Sequence, residues 1–247
     1  MSASWLKGGA ALLPALLCVV QHVNAQKAER LKPTSWLNVK VPEPSDIAAI
    51  PGTNRFYCVS DNGHVMEIGA DGRVIREARN IAYDLEGLLL QDDTLIVVDE
   101  RSRNLIWLTT ADLKPVRRLT IPYHGGRNRG YEAIVWNPVK QRYLLITERD
   151  PVRIIELDVQ MRVVNEVPFD AGVRDISSAV WHDEQLWLLS DMDMHVLRCD
   201  PMSYAINARW SVPVINPEGM AISNGKLHVL SDDRQRLYTY ELPGHAH

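Results

Sequence analysis

Tyr131-Glu-Ala-Ile-Val-Trp-Asn-Pro-Val-Lys-Gln-Arg-Tyr-Leu-Leu-Ile-Thr-Glu148 carries the pattern that decides the fold. A polar residue opens an apolar run, a turn rich in Asn, Pro and Lys interrupts it, and a second apolar run ends in a hydroxyl and a carboxylate. The opening recurs at Asp46-Ile-Ala-Ala-Ile, Glu86-Gly-Leu-Leu-Leu, Ser177-Ser-Ala-Val-Trp181 and Glu218-Gly-Met-Ala-Ile. The ending recurs at Ser60-Asp61, Ser190-Asp191 and Ser231-Asp232, and with an acid in place of the hydroxyl at Asp99-Glu100. Successive closing carboxylates stand 39, 48, 43 and 41 residues apart, a period that signals a repeat architecture.

Each unit continues with a third short apolar run, such as Asn104–Leu108, Arg153–Leu157 or Arg236–Tyr240, and a fourth, such as Val116–Ile121, Val163–Val167 or Ala208–Val212. These runs are β-branched or aromatic and bounded by Pro, Asn or Asp, as strands are. Outside the N-terminal leader, no segment sustains an apolar face at helical spacing over three turns. Five units of four antiparallel strands predict an all-β, five-bladed propeller over residues 35–243. The last unit reaches Pro243 after only three strands. Trp36–Val41 resembles the run Trp210–Val214, so it is expected to supply the missing strand and close the ring.

The rest of the chain is consistent with an exported globular protein. Hydrophobic residues make up 46% and charged residues 23% of the 247, which excludes a disordered chain. Lys7, an apolar run from Gly8 to Val20 and Val23-Asn-Ala25 predict a signal peptide over residues 1–25, too short in its apolar part to span a bilayer. The expected location is the periplasm or outside the cell, or the membrane if the segment stays attached. Residues 26–34 read as a linker and 244–247 as a tail. Cleavage removes Lys7 and no carboxylate, moving the net charge from −4 to −5, so no basic field is available for nucleic acid. Cys58 and Cys199 fall in strands of non-neighbouring units and are expected to be unpaired core thiols.

In an antiparallel hairpin the start of the first strand lies beside the end of the second. Asp46 should therefore lie near Asp61, Glu86 near Glu100, Glu132 near Glu148 and Glu218 near Asp232, all at one mouth of the ring, with Asp191 beside Ser177. Converging carboxylates repel and must either hold protons or recruit a cation. Oxygen-only donors point to calcium, whereas zinc favours His or Cys. The competing reading of the closing acids is turn capping or pairing with Arg101 and Arg149. Arg127 and Arg129, on the glycine-rich loop Tyr123–Gly130, are candidates to reach an anionic ligand at the same mouth. Trp107, Trp136, Trp181 and Trp187 read as blade packing.

The Asp84-Leu-Glu-Gly, Tyr131-Glu-Ala and Asn216-Pro-Glu-Gly openings, with the Asp99-Glu100-Arg101, Thr147-Glu148-Arg149 and Ser231-Asp232-Asp233 endings, resemble the SdiA-regulated family. These are YjiK-like exported bacterial proteins related to NHL-repeat propellers. The resemblance implies a five-bladed propeller with bound calcium, on Glu86, Glu132 and Glu218 with Glu100 and Glu148 nearby. It implies no particular activity. Ser177 departs from the acidic pattern, which makes a ligand sphere lopsided or completed by water. Two functions remain open on the sequence. One is a monomeric calcium-binding module for a small-molecule or protein ligand at the cell envelope. The other is a metal-dependent hydrolase of lactone or phosphoester type.

Overall fold

The computed structural model describes residues 28–122, 130–170 and 172–244. The expected signal segment, Arg127, Arg129 and most of the tail lie outside these residues. Five antiparallel sheets radiate from a common axis. Their inner strands are Pro44–Ala49, Leu85–Gln91, Tyr131–Asn137, Ser178–His182 and Pro217–Ser223, each in contact with the next and the last with the first. The ring is closed, as the repeat predicts.

Burial follows position in the blade. The second and third strands are apolar almost throughout because neighbouring sheets cover both faces: Phe56–Ser60 is buried along its whole length, and Asn104–Thr109 at all but its last residue. The outermost strand Pro115–Thr120 is almost wholly exposed and carries Arg117 and Arg118. The core is therefore five wedges, one between each pair of neighbouring blades. Trp187 and Trp107 are buried in two of them, and the thiols of Cys58 and Cys199 are free and buried. Two-residue turns reverse the inner hairpins of blades two, four and five, and longer turns those of blades one and three. At Asn224-Gly225 both residues adopt positive φ, 50° and 69°, the conformation that matches strand twist and that Asn and Gly tolerate best.

Ser35–Asn38 pairs antiparallel with Arg236–Glu241, Trp36 opposite Tyr238, so the N-terminal strand completes the fifth blade. The segment after it seals the wedge between blades five and one, where Val39 and Val41 are buried with Ile47, Leu230 and Leu237. One feature differs from the expected linker. Glu29–Arg30 forms a short strand parallel to Ile206–Ser211 and covers the outer edge of the fourth blade. Two residues give no periodicity, so no sequence pattern announces them.

A β-bulge interrupts the first strand of four blades, between Pro44 and Asp46, Leu85 and Leu88, Tyr131 and Ala133, and Pro217 and Gly219. A bulge turns the extra residue out of the pleat and re-aims its side chain. The bulged residues include Ser45, Glu86, Glu132 and Glu218. This local irregularity directs the acids of the repeat into the mouth of the ring.

Candidate functional site

At the mouth where inner strands begin and second strands end, a cavity of about 260 Å³ is lined by ten carboxylate residues. They are Asp61, Asp84, Glu86, Glu100, Glu132, Glu148, Asp175, Asp191, Glu218 and Asp232, joined by Ser177 and Arg149. All the expected acids meet there except Asp46.

Asp46 is a correction to the sequence reading. The bulge places Ser45 in the position that Glu86, Glu132 and Glu218 occupy, so the first blade presents a hydroxyl, which donates to Asp61 Oδ1. Asp46 falls one residue further down the strand, in the closed middle of the ring, and is 1% exposed. Its Oδ1 accepts from the Ile47 N–H at 2.8 Å and from Ser178 Oγ at 2.8 Å, and its Oδ2 from the Leu88 N–H at 2.9 Å. Ser178 Oγ in turn accepts from the Met220 N–H. One carboxyl group thus ties together inner strands of blades one, two, four and five. It is a clasp, remote from the cavity.

Elsewhere in this layer the ring is closed by small residues. A Cβ on Gly87 would lie 2.8 Å from the Glu132 carbonyl oxygen and 2.9 Å from Ala133 Cα, and one on Gly219 would lie 3.0 Å from Asp46 Cα. Glycine after the acid lets neighbouring strands approach closely enough to bring their acids together.

Two groups of three carboxylates each have ligand oxygens within 4.8 Å of one another: Asp84, Glu86 and Glu100, and Glu100, Glu132 and Glu148. Glu100 is common to both. Its Oε1 accepts from the Gly130 N–H at 2.7 Å, and a Cβ at residue 130 would lie 2.6 Å from Glu100 Cγ, so Gly130 makes room for it. Glu218 lines the cavity outside both groups, on the side of Asp61, Asp191 and Asp232. Ser177 Oγ donates to the Pro217 carbonyl, closing the blade that lacks an opening acid.

Burial and like charge both act on these groups. Desolvation, followed by the charges of Glu132, Asp61 and Glu218, holds the Glu86 carboxyl well above the usual carboxylate range. Glu132 is raised similarly by burial and then by Glu100 and Glu148. Burial, then Asp191 and Asp61, pushes Glu218 up to about 8. Glu148 is pushed by burial to about 7, although Arg149 pairs with it at 2.7 Å and opposes the shift. Asp84 and Asp191, desolvated and beside Glu100 and Asp175 respectively, rise to about 6. The mouth is a basin of negative potential that favours protons or a cation.

The competing roles of the closing acids are realised unevenly. Glu148 has its Arg partner, Glu100 holds a backbone N–H, and Asp61 and Asp232 receive side-chain hydrogen bonds from Ser45 and Asn216. Asp84 and Asp175 are acids that the hairpin argument misses. Asp175 accepts from Ser190 Oγ at 2.6 Å and from the Met192 N–H. A signal existed: Asp84-Leu-Glu86 and Asp175-Ile-Ser177 repeat an acid two residues before the opening position of the unit.

Residues 39–232 match the model of the SdiA-regulated family. The chain belongs to the SdiA-regulated family. Among solved structures, this member is similar to a Myxococcus xanthus glutaminyl cyclase, with a TM-score of 0.69 and 13% identity over 85% of this chain and 97% of that one. It is also similar to the β-propeller domain of Myceliophteria thermophila Cps50 (Swd1), at a TM-score of 0.57 and 8% identity over 85% and 99% of the two chains. A Bacteroides caccae protein of unknown function matches at a TM-score of 0.57 and 15% identity over 78% and 72%. At these identities the likeness is one of fold. No curated protein matches the sequence.

Proposed function

We propose that this SdiA-regulated propeller is an exported calcium-binding module that uses its acidic mouth to engage a small-molecule or protein ligand at the cell envelope. The observation that carries the reading is the pair of three-carboxylate groups sharing Glu100 inside a cavity lined by ten acids. Carboxylate donors suit a hard cation with flexible, six- to eight-fold oxygen coordination, and among the described residues no His or Cys lines the cavity to favour zinc. Glu86, Glu100, Glu132 and Glu148 are the residues that would hold the ion. Its chemistry is to neutralise the mutual repulsion of the mouth and leave outward positions for a ligand's oxygens. Export rests on the leader over residues 1–25.

The test begins with metal analysis of the purified protein, followed by thermal melts with chelator and with calcium. At about 100 times its dissociation constant, an ion bound only by the folded state adds roughly 2.7 kcal/mol. For a chain of this size that raises the melting temperature by roughly 5–11 °C. Glu100→Gln and Glu132→Gln should shrink the rise. Asp71→Asn, on an exposed turn, should leave it intact. Metal-free protein whose melting temperature calcium leaves unmoved would end the calcium reading.

A metal-dependent hydrolase is the second reading, and Glu148 favours it. Its carboxyl stands beside Glu100 and Glu132 and is paired with Arg149, a position from which it could take a proton from water attacking at an ion held by the other acids. Lactone and phosphoester substrates assayed with and without chelator separate the two. Chelator-sensitive turnover that Glu148→Gln abolishes supports the enzyme.

A further inference from the structure

The ring has a second mouth of opposite character. Four residues beyond Ser45, Glu86, Glu132, Ser177 and Glu218, the inner strands present Ala49, Leu90, Trp136, Trp181 and Ile222 at one level. All five line a cavity of about 440 Å³ and are half-buried, with Ala49, Leu90, Trp181 and Ile222 packed along the margins of the wedges. The volume lies within the range of small-molecule sites, about 300–1,000 Å³. The layer containing the Asp46 clasp separates this cavity from the acidic one, and the two share no lining residue.

Its walls are unequal. The large residues stand side by side on neighbouring blades three and four, where the sequence reading took Trp136 and Trp181 for packing alone. Small residues, Ala48, Ala49 and Ala221, line the facing blades and leave room in front of the indoles. Trp136 packs against Tyr143 with ring centroids 4.6 Å apart and planes tilted by 54°, and the Tyr143 hydroxyl donates to Gln91 Oε1 at 2.7 Å. The Gln91 amide is thereby fixed with its oxygen occupied. Asp92, at the exposed hairpin tip beside it, is the sole charged residue lining the cavity among the described residues. Two indoles offer stacking faces for a flat ring, and a cation near an indole or a carboxylate is favoured.

We propose that this basin is a binding site for arylalkylamines, with the ring against Trp136 and Trp181 and the ammonium toward Asp92. The site is independent of the calcium reading, because its residues and its mouth are different.

The full chain is titrated by calorimetry with 2-(1-naphthyl)ethylamine, and with 2-(1-naphthyl)ethanol and 1-naphthylacetate as neutral and anionic probes of similar shape. A ligand of this size in such a basin is expected to bind with a dissociation constant on the order of 1 mM or tighter. Asp92 is exposed, so its carboxylate should favour amine over alcohol only about two- to fivefold. Asp92→Asn should erase that preference. Ala49→Phe, filling the space before the indoles, should abolish binding. Trp181→Leu should weaken it about fivefold or more, and both variants should keep the wild-type circular dichroism spectrum and a single cooperative melt as evidence of an intact ring. Absence of saturation up to about 10 mM overturns the proposal. So does equal affinity for amine and alcohol, and so does amine binding that survives Ala49→Phe and Trp181→Leu but is lost in Glu132→Gln, since the amine would then occupy the acidic mouth.

Discussion

Replacing Asp46 by alanine separates the clasp from a cation ligand. In the folded ring the Asp46 carboxyl receives the backbone N–H groups of Ile47 and Leu88 and the hydroxyl of Ser178. Alanine leaves both N–H groups buried without a partner, while Ser178 can rotate its hydroxyl. An abandoned buried donor costs about 1–3 kcal/mol, so the pair costs about 4 kcal/mol. For a chain of this length the melting temperature of chelated protein should fall by roughly 8–16 °C. Asparagine should cost about half as much, because its oxygen still serves Ile47 and Ser178 while its amide nitrogen cannot accept from Leu88. Circular dichroism melts in chelator, with calcium added afterwards, give both the loss and the ion response. A clasp predicts a lower starting point and an undiminished calcium rise. A melting temperature within about 2 °C of wild type, together with a lost calcium response, would show that Asp46 reaches the ion and that the register described above is wrong.

The remaining expectations concern pH, strand approach and closure. Asp46, Glu148 and Glu218 have folded values of about 8, 7 and 8, above their ordinary 3.8 and 4.5, so the folded chain retains protons that the unfolded chain has released. Their stabilisation is complete at acid pH and is lost as pH rises through 7–8. Half-buried His195 and His228 are lowered from 6.5, by desolvation first, and oppose this trend only below about that pH. Chelated protein should therefore melt several degrees higher at pH 6.5 than at about pH 8.5, and calcium should narrow the difference; a melting temperature that rises over this interval would refute the assignment. Gly87→Ala, forced against Glu132 and Ala133, should cost about 1–3 kcal/mol and weaken calcium binding by spreading the mouth, measured by denaturant titration and calorimetry. Removing residues 28–41 takes away the closing strand and the buried Val39 and Val41, about 3–6 kcal/mol of burial before the open edge is counted. It should cause aggregation on size-exclusion chromatography, whereas removing residues 28–30 should leave a monomer.

The blade count, the strand order, the closing role of Ser35–Asn38 and the gathering of Glu86, Glu100, Glu132, Glu148 and Glu218 at one mouth are all determined by sequence alone. The reason is that each depends on a local repeat: hairpin pairing places the start of one strand beside the end of the next whatever the rest of the chain does. Register within that repeat is another matter. A bulge shifts the phase of a strand by one residue, and its position follows from how neighbouring blades meet at Gly87 and Gly219. Only the folded ring therefore separates Ser45, which reaches the acidic mouth, from Asp46, which clasps the centre. Contacts between residues far apart in the chain also decide that Glu100 serves two carboxylate groups, that Asp84 and Asp175 line the same cavity, and that Trp136 and Trp181 face a basin. These depend on the width of the ring, which five wedges of side chains set together and no single unit encodes.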